Sequence, residues 1–127
     1  MAEARATLSA RIHFDYDMAE IRTDAAQLLR AKLAILRASP AVQLRIEGHC
    51  DERGSNEYNQ ALGNRRAQAV IDFFTASGLD ASRFSIVSFG EERPLVNQSN
   101  EDAWAQNRRA EFVLTAGQNA INPGRTP

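Results

Sequence analysis

The apolar residues of this chain switch between a two-residue and an approximately 3.6-residue period, and the order of the switches constrains the fold more than any other feature. Arg11 to Tyr16 alternates, which places Ile12, Phe14 and Tyr16 on one face of a predicted strand. Ala25, Leu28, Leu29, Leu33 and Leu36 then recur at helical spacing, with Asp24 in the first turn and Pro40 closing the segment. Val42, Leu44 and Ile46 alternate again up to Gly48. A second helix is expected from Asn56 to Ser77, with Tyr58, Leu62, Ala69, Val70, Phe73 and Phe74 as its stripe and Gly78 as its stop. Phe84, Ile86 and Ser88 mark a third strand, and Ala110, Phe112 and Leu114 a fourth, with a short helix around Asp102 to Ala105 between them. The predicted class is α+β, in the order β-α-β-α-β-β, with two main helices on one face of a mixed four-stranded sheet.

A length of 127 residues suits one core. Residues 1–9 are read as an N-terminal extension, 10–116 as the domain, and 117–127, where Gly, Asn and Pro accumulate without period, as a disordered tail. With 15 basic and 16 acidic residues, the chain lacks the basic excess of a dedicated nucleic-acid binder. Cys50 is the single cysteine, which excludes an intrachain disulfide and a thiolate zinc cage. No run reaches the roughly 18 apolar residues of a membrane span, and no apolar segment of a secretory signal follows Met1. Two readings fit: a cytosolic protein, or a mature domain without its export and anchoring segments.

Chemistry concentrates between Glu47 and Ala67, where a strand end, a glycine-punctuated loop and a helix start adjoin. Asn59, Leu62, Arg66 and Val70 share one helix face, with Asn59 and Arg66 about 10 Å apart along the axis. Arg66 therefore lies on or beside the apolar stripe, and a buried guanidinium requires a partner. Asp51, Asp17 and Glu52 are the acids that the loops can deliver. On spacing alone, a salt bridge pinning loop to helix is the simpler reading. The alternative is a small pocket with an arginine fork for a carboxylate and aspartates for an ammonium, suited to the zwitterionic end of an amino acid.

The string Glu47-Gly-His-x-Asp-Glu-Arg-Gly-x-x-Glu-Tyr-Asn-x-x-Leu-Gly-x-Arg-Arg-Ala67 resembles the signature of the OmpA-C-like peptidoglycan-binding domains, and among them that of the peptidoglycan-associated lipoproteins. Phe14-Asp-Tyr-Asp17 with Ile21, Val87-Ser-Phe-Gly-Glu-Glu-Arg-Pro94, and Asn107-Arg-Arg-Ala110 are similar to further motifs of that family, in the same order. The resemblance implies non-covalent binding of the peptidoglycan stem peptide through meso-diaminopimelate, without a cofactor and without catalysis. It implies that Asp51 meets the ammonium, Arg66 the carboxylate, Asn59 the pocket wall and Asp17 the pocket's closing edge. Leu62 and Arg53 belong to the same set, Arg53 more through its loop backbone, and Asn107 and Arg108 border the region. It also implies a periplasmic, outer-membrane-associated protein held by an N-terminal lipid anchor absent from this sequence, with a TolB-like β-propeller as a competing partner. Cys50 stands where related sequences carry a small residue and is expected to be a packing residue.

Other chemistries fit less well. His49, Cys50 and Asp51 point in alternating directions from a strand end, which suits shared metal coordination poorly. His49 is expected to be exposed or hydrogen-bonded. Asp51 and Glu52 are adjacent and do not straddle a bond as an acid–base pair must. Acidic residues interleave with the pairs Arg65-Arg66 and Arg108-Arg109, which disfavours phosphate binding. Trp104 is expected to be a lid or anchor over the last strands, and Arg109 a structural residue.

Overall fold

The computed structural model describes residues 2–123. Its elements are α1 (Ala2–Ser9), β1 (Ile12–His13), α2 (Thr23–Ala38), β2 (Gln43–His49), α3 (Asn56–Ala76), a 3-10 turn at Ala81–Arg83, β3 (Phe84–Gly90), α4 (Glu101–Asn107) and β4 (Arg109–Ala116). The four strands form one mixed sheet in the order β1-β4-β2-β3, parallel only between β2 and β3. The α+β class and the order of strands and main helices are those expected from the periodicity.

Register explains why one face of the sheet is apolar. Leu44 pairs with Leu114, Ile46 with Phe112 and Gly48 with Ala110 across β2 and β4, so one alternating set from each strand faces α2 and α3. These residues join Leu29, Leu36, Ala67, Val70 and Phe74 in a single core. The opposite face carries the intervening residues and neutralises them in place. Glu47 stands across from Glu111, but Arg45 reaches Glu47 at 2.7 Å, and Arg11 and Arg109 reach Glu111 at 3.1 and 2.6 Å.

Helix α3 approaches the sheet unusually closely at Gly48 and Gly63. A Cβ on Gly48 would lie 1.8 Å from the Gly63 carbonyl oxygen, and one on Gly63 would lie 2.2 Å from Ser88 Oγ. Only glycine at both positions allows this approach. It seats the first half of α3 directly over the end of β2, from which the loop at residues 50–54 departs.

Several expectations need correction. The first strand is two residues long, because the chain leaves the sheet after His13. Phe14 stays buried, but Tyr16 is exposed. Leu28 and Tyr58 are exposed, whereas Lys32, Ala67 and Ile71 occupy the core-facing positions. Residues 2–9, read from the sequence as an N-terminal extension, form α1, whose Ala4 and Leu8 enter the core. Residues 117–123 are not a disordered tail. Ile121 is buried in the core, and Ser39 Oγ bonds both the backbone N–H (2.7 Å) and the carbonyl (3.0 Å) of Asn122. The last four positions of the expected tail lie outside the described residues.

Lys32 is what fastens α1. Its ammonium is fully buried and donates to the carbonyls of Thr7, Leu8 and Ala10 at 2.7, 3.0 and 2.5 Å. It also lies 4.1 Å from the Phe112 ring centroid. Carbonyls at a helix C-terminus have no partner within the helix, and a cation there also meets the favourable end of the dipole. Lys32→Met keeps the apolar stem and leaves these acceptors uncapped. It is expected to cost about 2–3 kcal/mol of stability, read as a lower urea midpoint, with early proteolysis confined to residues 2–10.

Candidate functional site

The site forms where three segments meet: the bend after β1, the loop after β2, and the first half of α3. Asp17 adopts a left-handed backbone (φ 56°), which turns the chain back toward α3. In the second loop Gly54 takes φ 96°, and Ser55 caps α3 by accepting a bond from the Tyr58 backbone N–H. Asn59 is buried and donates to the carbonyl of Arg53 at 3.0 Å and more weakly to that of Asp51 at 3.5 Å, so α3 holds the loop from beneath.

Arg66 is fully buried. Its Nε donates to the Met18 carbonyl (2.9 Å), Nη1 to the His49 carbonyl (2.9 Å) and Nη2 to the Asp15 carbonyl (3.1 Å). The guanidinium therefore ties all three segments together, resting 5.2 Å from the Phe14 ring centroid. Among the described residues no carboxylate pairs with it at ion-pair distance, so the expected salt bridge to an aspartate is not formed. Burial lowers its pKa, opposed by Cys50, Asp51 and Asp17 nearby. A guanidinium has five N–H donors, and three are taken up by these carbonyls.

Asp51 is equally buried but has company. Its Oδ1 accepts from the Arg53 backbone N–H (3.0 Å) and Nε (3.1 Å), and its Oδ2 accepts from Arg53 Nη2 (2.8 Å). Arg108 Nη1 stands 3.7 Å away on the other side. Burial alone would raise the pKa of Asp51, but the bonds from Arg53 and the charges of both arginines outweigh it and bring the carboxyl below its ordinary value.

These residues enclose a cleft of about 50 Å³. Asp17, Asp51, Arg53, Asn59, Leu62 and Arg66 all line it, so all six primary candidates come together. The two flanking candidates do not line it. Asn107 uses its side chain on the backbone of Leu95 and Val96, which fixes the loop before α4. Arg108 lies behind Asp51, donating to the Phe14 carbonyl and to Glu101. Arg109 is structural, as expected, bound to Glu111 and to the carbonyls of Asn107 and Arg93.

Sequence reasoning missed the aromatic rim. Tyr58 is a wall residue whose hydroxyl donates to Asp17, and Tyr16 stacks on Arg53. Trp104 lies on the other face of the same guanidinium and donates its indole N–H to Glu52 at 2.9 Å, so it borders the site rather than covering the last strands. Tyr58 lies inside the quoted motif, which was the signal available for it. Cys50 is a buried wall residue, as expected, its thiol pushed up to about 11 by burial. Among the described residues no cluster of His, Cys, Asp and Glu could hold a metal ion.

The sequence profile of the OmpA family matches residues 13–108, and the chain belongs to that family. Within it, the chain is similar to proteins named peptidoglycan-associated lipoprotein. It is 46% identical to that of Agrobacterium fabrum over 82% of this chain and 59% of the relative, and 46% identical to that of Pasteurella multocida over 78% and 66%. The chain thus spans less than two thirds of the Agrobacterium relative's length. The crystal structure of the peptidoglycan-associated lipoprotein from Burkholderia pseudomallei superposes with a TM-score of 0.79 at 36% identity, over 82% of this chain and 88% of that one.

His49, whose carbonyl holds Arg66, departs from expectation. Its ring is buried against Phe89, and among the described residues neither ring nitrogen has a hydrogen-bond partner. Burial, with the charge of Arg109, pushes its pKa down to about 4 from the ordinary 6.5. The unfolded chain therefore takes up a proton first as pH falls. The contribution of His49 is full above about pH 6.5 and declines by up to about 3 kcal/mol toward pH 4. Half-buried His13, lowered for the same reason, acts in the same direction. Urea midpoints measured from pH 7 to 4.5 should fall in the wild type and flatten in large part in His49→Phe. A flat wild-type profile contradicts this account of the buried ring.

Proposed function

We propose that this domain binds the peptide stem of peptidoglycan non-covalently, taking the side-chain terminus of meso-diaminopimelate into the cleft. One observation carries the reading: a fully buried guanidinium with no carboxylate of its own lines a cleft whose other walls bear Asp51 and Asp17. A buried cation with no carboxylate at ion-pair distance is costly to maintain, and a guest carboxylate satisfies its remaining donors. The ammonium two bonds away from that carboxylate turns to Asp51 and Asp17, while Asn59 and Leu62 shape the floor. A plain lysine terminus lacks the carboxylate and leaves Arg66 unmatched.

The similarity to proteins named peptidoglycan-associated lipoprotein supports association with peptidoglycan, and with it a periplasmic site of action and a role in tethering the outer membrane to the wall through an N-terminal lipid anchor. Binding rather than catalysis suits the walls, since the Cys50 thiol is held in its unreactive form. A second reading, docking of a TolB-like β-propeller, is favoured by Tyr16, Met18 and Tyr58, which stand exposed around the mouth. A protein covering them would close the cleft and compete with the wall.

Retention on purified sacculi tests the first reading. The wild type should bind diaminopimelate-type sacculi in preference to lysine-type sacculi. Asp51→Ala and Arg66→Ala should each weaken binding at least about tenfold, as expected for loss of a charge-assisted hydrogen bond. Thermal melts identify any variant that is simply unfolded, and Asp17→Asn supplies a milder test of the rim. Equal retention on both wall types, or full retention by folded variants, removes the assignment.

A further inference from the structure

The two halves of the cleft are in different states, and the difference is specific. Arg66 has no carboxylate at ion-pair distance among the described residues. Asp51, in contrast, receives three N–H groups from a single residue, Arg53, on both carboxylate oxygens. The Arg53 guanidinium also packs on two rings, with its carbon 4.0 Å from the ring centroids of Tyr16 and Trp104 alike. An acid whose bound cation also meets two aromatic faces marks a subsite for a cation, since the carboxylate supplies charge and the rings supply their negative π faces. A cation from the chain itself fills it.

On the reading of the cleft given above, which this inference requires, the ligand's ammonium needs the same acid. We propose that Arg53 is a built-in competitor: its guanidinium occupies the cation subsite of Asp51, Tyr16 and Trp104, and the ligand's ammonium enters only as Arg53 swings out to solvent. Exposure is distributed accordingly. The side chains of Asp51 and Arg108 are 6% and 8% exposed, whereas that of Arg53 is 31% exposed and sits at the mouth. Arg108 remains behind Asp51 after the exchange, tied to the Phe14 carbonyl and Glu101, and keeps the carboxylate ionised. Trp104 keeps its bond to Glu52, so the ring is ready for the incoming cation.

A partly exposed ion pair and two stacks at a wet rim together amount to about a tenfold handicap on the guest. Apparent affinity falls by the fraction of molecules in which the subsite is open. The handicap also serves selection. A ligand with an ammonium but no carboxylate must displace Arg53 without the compensating contact at Arg66, so simple amines are excluded twice.

The test is calorimetric titration of the full chain with the tripeptide stem L-Ala-γ-D-Glu-meso-diaminopimelate, with emission from Trp104, the single tryptophan, followed in parallel. Arg53→Gln and Arg53→Ala should bind about tenfold more tightly than the wild type. Emission should change on saturation in the wild type and much less in the variants, where no stacked guanidinium is lost. A stem carrying 2-aminopimelate keeps the terminal carboxylate and lacks the ammonium, so its affinity should be the same in all three proteins. Weaker or unchanged binding of diaminopimelate by both variants overturns the competitor role and leaves the ligand assignment standing. A gain that extends to the 2-aminopimelate stem also overturns it, by showing general loosening of the loop. A wild type that binds neither stem sinks the ligand assignment and this inference with it.

Discussion

Three carbonyl oxygens on one buried guanidinium organise the functional half of this molecule. Asp15, Met18 and His49 belong to two segments far apart in sequence, and Arg66 on α3 holds both at once. Carbonyls satisfy donors without cancelling charge. A carboxylate in their place would give an equally firm tie and an electrically closed site. The chosen arrangement keeps the fold together while leaving the guanidinium charge uncancelled by its own hydrogen-bond partners, and on the proposed reading the same interaction prepares the recognition of an anion.

That arrangement depends on backbone proximity elsewhere. Arg66 reaches the end of β2 because Gly48 and Gly63 allow α3 to lie almost against the strand. Moving the helix outward by the thickness of one methyl group would lengthen the His49 contact beyond hydrogen-bond range. The loop that carries Asp51 and Arg53 starts from the same place and is held beneath by Asn59. Position along α3 thus assigns successive tasks at helical spacing: Asn59 fixes the loop, Gly63 sets the depth, Arg66 carries the charge.

Much of this was legible from the residues, and the exceptions have physical causes. Alternation located β2, β3 and β4 because each has one face on the core, and α3 was bounded to within one residue by its stripe and its glycine stop. Alternation does not say where a strand leaves its sheet, so Tyr16 was assigned to the core when it belongs to the rim. Periodicity counted apolar side chains, which hid Lys32 among the core positions of α2 and overstated Leu28. Ile121 sits alone among glycine, asparagine and proline, with no neighbour to form a pattern, yet it is buried. The six cleft residues were gathered correctly, because a motif fixes which side chains a loop and a helix face can bring together. Their pairing was not. Backbone acceptors do not appear in a reading of side chains, so a carboxylate was sought for Arg66 where carbonyls do the holding. The fork between Arg53 and Asp51 is a matter of rotamer, which spacing leaves open.

The asymmetry of the cleft follows from what each charge costs. A guanidinium is weakly hydrated and spreads its charge over three nitrogens, so it can be kept buried on carbonyls alone. A carboxylate concentrates its charge on two oxygens and offers acceptors only; buried without donors it would take up a proton and lose its use as an anion. Asp51 therefore has to be supplied with N–H groups before any guest arrives, whereas Arg66 need not be supplied with an anion. Arg53 and Arg108 meet that requirement in different ways, one partly exposed at the mouth, the other buried behind the carboxylate. On the proposed reading, a low-dielectric cleft for both ends of a zwitterion has its anionic half supplied in advance, and the least disruptive supply is a cation that can step aside.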